Sequence, residues 1–171
     1  MTAFVALLRA VNVGGTGKLP MSDLTGLCET AGFTQVRTYI ASGNVVFESP
    51  WPEARVKTEL ERRLAEYAGK PVGVAVRTAA EMAAVRDANP FPAAAPNGTV
   101  AIFLDHPPPA DAAQQAKGRK DEEIALGVRE IYVWYGKDGM GRSKLRIPAA
   151  KTGTARNLNT VARLAEMAAV L

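Results

Sequence analysis

The chain has a single cysteine, Cys28, and a single histidine, His106, in 171 residues. One thiol closes no internal disulfide. One thiol with one imidazole would leave a zinc site to be built mostly from carboxylates, which zinc rarely accepts alone. Soft-ligand metal chemistry is close to excluded on that count, whereas a magnesium ion held by oxygens is not. Long apolar runs are missing too, and nothing approaches the roughly 20 residues that a membrane-spanning helix needs. The opening Met1-Thr2-Ala3-Phe4-Val5-Ala6-Leu7-Leu8 has no basic residue ahead of its apolar run, and Arg9 cuts that run short, unlike a secretory signal. A cytoplasmic location, no membrane partner, no metal and no cofactor are therefore expected. One local absence stands out. From Gly139 to Ala165 there is no acidic residue, yet six basic ones occur there: Arg142, Lys144, Arg146, Lys151, Arg156 and Arg163. Since the whole chain carries +4, the remainder sums to −2. Ordinary surfaces mix the two signs, so this excess of positive charge is local.

What is present is the material of a folded core. Apolar residues make up 47% of the chain, which is globular rather than disordered. A chain of this length buries about two-thirds of its unfolded surface and needs no staple. Residues 3–11 are apolar on both faces, as in a strand covered on both sides. Pro20 and Ser22 open a helix bearing Leu24, Leu27 and Cys28 on one face, and Gly32 closes it. Val36, Thr38 and Ile40 alternate with polar neighbours, and the turn Ser42-Gly43-Asn44 returns the chain into Val45-Val46-Phe47. Pro52 starts a helix with Val56, Leu60 and Leu64 at four-residue intervals, and a β-rich run spans Val72 to Val76. This order is the split βαβ of ferredoxin-like folds. Thr78-Ala79-Ala80-Glu81 is a capping box that predicts a linking helix to about Ala88.

The second half repeats the pattern more loosely. A strand is predicted over Val100–Leu104, a short helix over Ala110–Ala116, and a hairpin around Gly127 joining Ile124–Leu126 to Ile131–Tyr135. A helical stretch from Arg142 towards Ala150 and a final helix over Leu158–Val170 follow. The expected fold is α+β, two ferredoxin-like halves packed as a pseudo-repeat. Residues 1–78 form the first half, 79–98 a linking helix and loop, and 99–171 the second half with its basic end.

The loop Asn12-Val13-Gly14-Gly15-Thr16-Gly17-Lys18 between a strand and a helix invites a phosphate-loop reading. It fails the Walker pattern, because Asn12 stands where the first glycine belongs and Leu19 where Ser or Thr should hold magnesium. A dinucleotide fingerprint fails at Pro20. Backbone N–H groups at Gly14 and Gly15, with Lys18 beside a helix start, can still hold an anion without a named motif; alternatively the glycines only shape a turn. At the other end, Arg156, Asn157 and Asn159 lie where a helix N-terminus favours negative charge, although an asparagine there can equally be a simple cap.

Catalytic chemistry finds little footing. His106 lies in the loop-like Asp105-His106-Pro107-Pro108-Pro109, and Cys28 falls on an apolar helix face, as an inert core thiol does. Asp121-Glu122-Glu123 reads as solvated carboxylates. Tyr132, Trp134 and Tyr135 could form a base-stacking platform or divide between core and surface.

Two segments are familiar: Leu8-Arg9-Ala10-Val11-Asn12-Val13-Gly14-Gly15 and Thr38-Tyr39-Ile40-Ala41-Ser42-Gly43-Asn44-Val45-Val46-Phe47. Together with Asn89-Pro90-Phe91, Gly141-Arg142-Ser143-Lys144-Leu145 and Thr154-Ala155-Arg156-Asn157-Leu158-Asn159-Thr160-Val161, they resemble a bacterial family of unknown function, numbered 1697, along the whole chain. Leu158 stands where that family usually has tryptophan, and the segment between Leu145 and Thr154 is shorter than usual. The resemblance implies a compact α+β fold of two ferredoxin-like parts and no activity. It also groups the polar positions into one set of candidate anion-binding residues: Arg9, Asn12, Gly14, Gly15, Lys18, Ser42, Asn44, Lys144, Arg156, Asn157 and Asn159. The expected function is binding of a phosphate-bearing small molecule, a nucleotide or a nucleic acid, with no catalytic residue assigned. An enzyme acting on a phosphorylated or carboxylated small molecule, and an assembly protein of open oligomeric state, are the alternatives.

Overall fold

In the computed structural model, residues 1–10 and 18–171 are described. The chain divides into two units, Met1–Ala83 with Arg163–Leu171, and Ala84–Ala162. The residues from Arg163 onward thus group with the first unit, although they follow the second in sequence.

The first unit contains β1 (Thr2–Leu8), α1 (Met21–Thr30), β2 (Thr34–Thr38), β3 (Asn44–Ser49), α2 (Glu53–Ala68) and β4 (Val74–Thr78). Its four strands form an antiparallel sheet in the order β2-β3-β1-β4. Alternation sends Phe4, Ala6, Leu8, Val45, Phe47, Val74 and Val76 to one face, where Leu24 and Cys28 of α1 and Val56, Leu60 and Leu64 of α2 pack on them. The four-residue spacing on α2 is what aims those three side chains at the sheet. Phe33 stacks on Phe47 at 4.3 Å between ring centroids. Gly69 ends α2 in the left-handed conformation (φ 70°), returning its N–H to the Ala65 carbonyl.

α3 (Ala79–Asp87) begins on the predicted capping box. The Thr78 N–H donates to Glu81 Oε1 at 2.9 Å, and the Glu81 N–H donates to Thr78 Oγ1 at 3.1 Å. The second unit's sheet comprises β5 (Thr99–Phe103), β6 (Glu123–Leu126), β7 (Glu130–Trp134) and β8 (Thr154–Asn157), again antiparallel, in the order β6-β7-β5-β8. The two sheets share one spatial order: each places its first strand third. α4 (Leu158–Ala169) follows β8 directly.

Two predicted helices of the second half are not formed. Residues 110–115 make turns, because the bond from the Gln115 N–H to the Asp111 carbonyl is followed at once by a paired bridge between Lys117 and Arg146, 2.8 Å in each direction. That bridge also holds Arg146 extended. Pro148 demands an extended residue before it, and Ile147 obliges (φ −114°, ψ 108°), so 142–150 keeps only the short 3-10 turns Met140–Arg142 and Pro148–Ala150. These irregular segments supply Ala112, Leu145 and Ile147 to the apolar face formed by Val100, Ile102, Ile131 and Val133. Among the described residues no helix is long and apolar enough to cross a membrane.

Candidate functional site

The bridge between Lys117 and Arg146 brings 118–122 alongside 142–144, and a cavity of about 230 Å³ opens between them. Its walls include Lys120, Asp121, Glu122, Tyr135, Asp138, Arg142, Ser143 and Lys144. Two glycines set the close approach of its strands. Gly118 has φ 71°, and a β-carbon there would lie 2.2 Å from the Lys144 carbonyl oxygen. Gly136 has φ 76°, and a β-carbon there would lie 2.4 Å from an Asp121 carboxylate oxygen. Neither position tolerates a side chain without moving a wall.

Two of the carboxylates are already engaged. Glu122 is buried, 3% exposed, and accepts the Ser143 hydroxyl on Oε2 and the Lys120 backbone N–H on Oε1 at 2.5 Å. The hydrogen bond from Ser143, then that from the backbone, holds its carboxyl below the usual range, so it is ionised at neutral pH. This corrects the reading of Asp121-Glu122-Glu123 as uniformly solvated: the middle residue turns inward. Asp121 accepts the Lys137 backbone N–H at 3.2 Å. By contrast, Lys120, Arg142 and Lys144 make no ion pair among the described residues. Tyr135 is half-buried, and burial followed by the charge of Glu122 raises its phenol pKa, so it is a neutral hydrogen-bonding group near pH 7. With Glu122 ionised and Tyr135 protonated, neither exchanges a proton near neutrality.

Of the expected anion-binding residues that are described, only Lys144 lines this cavity. Arg156 is 7% exposed, donating to Thr154 Oγ1 at 2.6 Å and to the Ala155 carbonyl at 3.0 Å, and burial lowers its pKa to about 10. Asn157 caps α4: its Oδ1 accepts the Thr160 N–H at 2.9 Å, while Asn159 is exposed one residue into the helix. Arg163 pairs with Glu166 at 3.4 Å. The basic stretch is thus divided among a cavity wall, the Lys117–Arg146 bridge, a buried position and a helix surface.

Arg9, Ser42 and Asn44 gather at the end of β1. The Leu8 N–H donates to the Gly43 carbonyl at 2.8 Å, and the Arg9 N–H to the Gly73 carbonyl at 2.9 Å. Asn44 is fully buried, its Nδ2 donating to the Tyr39 carbonyl and to Ser42 Oγ, both at 2.9 Å, which closes the turn from within. That turn carries Ile40 at φ 49°, an uncommon conformation for a β-branched residue. Lys18 is exposed, and Asn12, Gly14 and Gly15 lie outside the described residues.

The three strand aromatics do not form one platform. Tyr132 is buried with its hydroxyl donating to the Val85 carbonyl at 2.8 Å, Tyr135 packs on the apolar face of the sheet, and Trp134 points away from Tyr135. Cys28 is buried, and burial, then the neighbouring Glu29 charge, pushes its thiol up to about 12. No group of three His, Cys, Asp or Glu among the described residues could hold a metal ion. Sequence reasoning missed Glu122, Tyr135 and Lys120 because the cavity is assembled by contacts some twenty residues apart, such as Ser143 to Glu122. The one available signal was the in–out alternation on entry to β6.

Among solved structures, a conserved bacterial protein from Streptococcus pneumoniae is similar at a TM-score of 0.78 and 20% identity, with 98% of each chain covered. At that identity the likeness is one of fold. A search of curated proteins found no match. The model of a family described as a protein of unknown function, DUF1697, matches residues 1–132, so Asn89-Pro90-Phe91 lies inside the matched part and the motifs from Gly141 onward lie beyond it. With most of its length matched, the chain belongs to the DUF1697 family.

Proposed function

We propose that this protein binds a small phosphate-bearing ligand in the cavity between residues 118–122 and 142–144, in the cytoplasm. The observation that carries the reading is the convergence of Lys120, Arg142 and Lys144, none of them in an ion pair among the described residues, on a cavity where Glu122 and Asp121 already accept hydrogen bonds. Asp121, Glu122 and Asp138 equal the three cations in number, but the first two already accept hydrogen bonds, so an incoming anion competes chiefly with Asp138 for the cations, and the Tyr135 phenol adds a neutral donor. The volume of about 230 Å³ suits a phosphoryl group with a small organic part. Each sheet's order, with its first strand third, supports a ferredoxin-like arrangement in each unit. The second unit then holds irregular segments in place of that fold's two helices, and the cavity lies in them.

The test is a thermal-shift screen at low salt against phosphate, sulfate, nucleotides, sugar phosphates, short nucleic acids and a neutral sugar. A site filled at 100 times its Kd adds about 2.7 kcal/mol, a rise of roughly 5–10 °C here. Arg142→Ala and Lys144→Ala should each weaken binding about tenfold or more, and Arg37→Ala, which is not part of the lining, should not. Absence of any shift, or a shift retained in both cavity variants, would sink the proposal.

A further inference from the structure

A second recess lies in the same unit and has a different chemistry. Pro90, Phe91, Pro92, Ala93 and Ala94, the loop after α3, form one wall; Trp134 and Glu123, cross-strand partners on β7 and β6, form the other. Its volume is about 400 Å³. The loop is held in shape from within. Asn89 Oδ1 accepts the Phe91 N–H at 2.9 Å, and the Ala94 N–H donates to the Phe91 carbonyl at 3.0 Å. Phe91 and Trp134 are both half-exposed.

We infer that this groove is a docking site for a proline-rich, basic segment of a partner protein. A polyproline II segment offers flat pyrrolidine rings and has no internal hydrogen bonds, so its carbonyls seek outside donors. Its recognition calls for aromatic walls and a donor between them, and a flanking arginine or lysine calls for a carboxylate at the rim. The lining holds a residue for each of the three. Phe91 and Trp134 are the rings. Among the described residues, the indole N–H of Trp134 makes no hydrogen bond, and Glu123, the only charged one of them in the lining, makes no ion pair. Charge complementarity selects a basic partner over a second copy of this chain. The chain's own Pro107-Pro108-Pro109 is flanked by Asp105 and Asp111, which Glu123 would repel. The inference is independent of the anion cavity, since the two linings share no residue.

The experiment titrates the full chain into a short fluorescein-labelled peptide of repeated prolines with flanking arginines, read by anisotropy. Saturable binding is expected, weakened about tenfold or more by Trp134→Ala and by Phe91→Ala. Trp134→Phe should lose a smaller factor, since it keeps a ring but no N–H. Glu123→Gln should cost a few-fold against the arginine peptide and nothing against its glutamine counterpart. Melting curves of each variant show that it folds, and Phe91→Ala, in a loop, keeps the test valid if Trp134→Ala does not. Several results would overturn the inference: no saturation at millimolar peptide, equal affinity for an alanine-for-proline control, or unchanged binding in the variants. So would displacement by a single-stranded oligonucleotide whose own binding is lost in Trp134→Ala, or a concentration-dependent dimer abolished by Pro108→Ala.

Discussion

Asn44 shows how one side chain can hold a functional-looking motif together. Fully buried, it uses its amide to satisfy the Tyr39 carbonyl and Ser42 Oγ, and its own carbonyl accepts the Tyr39 N–H at 3.0 Å. Asn44→Ala should therefore cost about 1–3 kcal/mol in urea unfolding, because it removes two bonds made by a fully buried side chain and leaves part-buried acceptors without their donor. Glu122 makes a different contribution, one that depends on pH. Its folded pKa lies below the ordinary 4.5, so the folded state binds that proton less readily than the unfolded chain. Its stabilisation is fully present above pH 4.5 and is lost as pH falls through the folded value. Glu122→Gln should flatten that part of the acid-unfolding profile and leave stability at high pH less sensitive to further titration. Ser143→Ala should bring the carboxyl back towards its usual value, which an NMR titration would read. The same pair explains why a charge count along the chain misjudged residues 121–123: exposure alternates there, and only one of three carboxylates is buried.

At the scale of elements, legibility followed periodicity. α2 was readable because Val56, Leu60 and Leu64 recur at helical spacing and the amphipathic face has a sheet to cover. Leu60→Ala should cost about 2–5 kcal/mol, the range for emptying a packed leucine site. Thr78→Ala, which removes half of the capping box at α3, should cost about 1 kcal/mol. Chemical denaturation of both variants checks the contrast. The β6–β7 hairpin around Gly127 was equally visible. The segments that failed the same reading, 110–116 and 142–150, have apolar residues but no sustained period, and a long-range bridge decides their shape. Ile147 and Ala112 reach the core from turns, a role that composition cannot distinguish from a helical one. The cavity is built on those same segments, so the region richest in candidate chemistry was the least readable in advance. Lys144 was found by charge; its neighbours Tyr135 and Glu122 were not.

At the scale of the whole molecule, the two recesses described above lie in one unit and are divided at consecutive residues: Tyr135 lines the first and Trp134 the second. Their responses to salt should differ. The first is lined by charged groups of both signs and would hold an anion by charge, and raising ionic strength from 0.01 to 0.15 M shortens the screening length from about 30 to 8 Å. Phosphate-ligand affinity should drop markedly over that range, whereas peptide affinity at the aromatic groove should drop much less, since ring packing is insensitive to screening. Calorimetric titrations at the two salt concentrations test this, and equal salt sensitivity would count against the division of labour. Cys28 adds something practical at this scale. Its thiol is the chain's only one, buried and held protonated to about pH 12. A maleimide dye should leave the folded native chain unlabelled and react once it is denatured. A cysteine introduced at exposed Asn159, or beside either recess, would then be the sole reactive handle. The native sequence is thus already a background for single-site labelling, and distances or ligand-induced spectral changes can be measured without first removing a competing thiol.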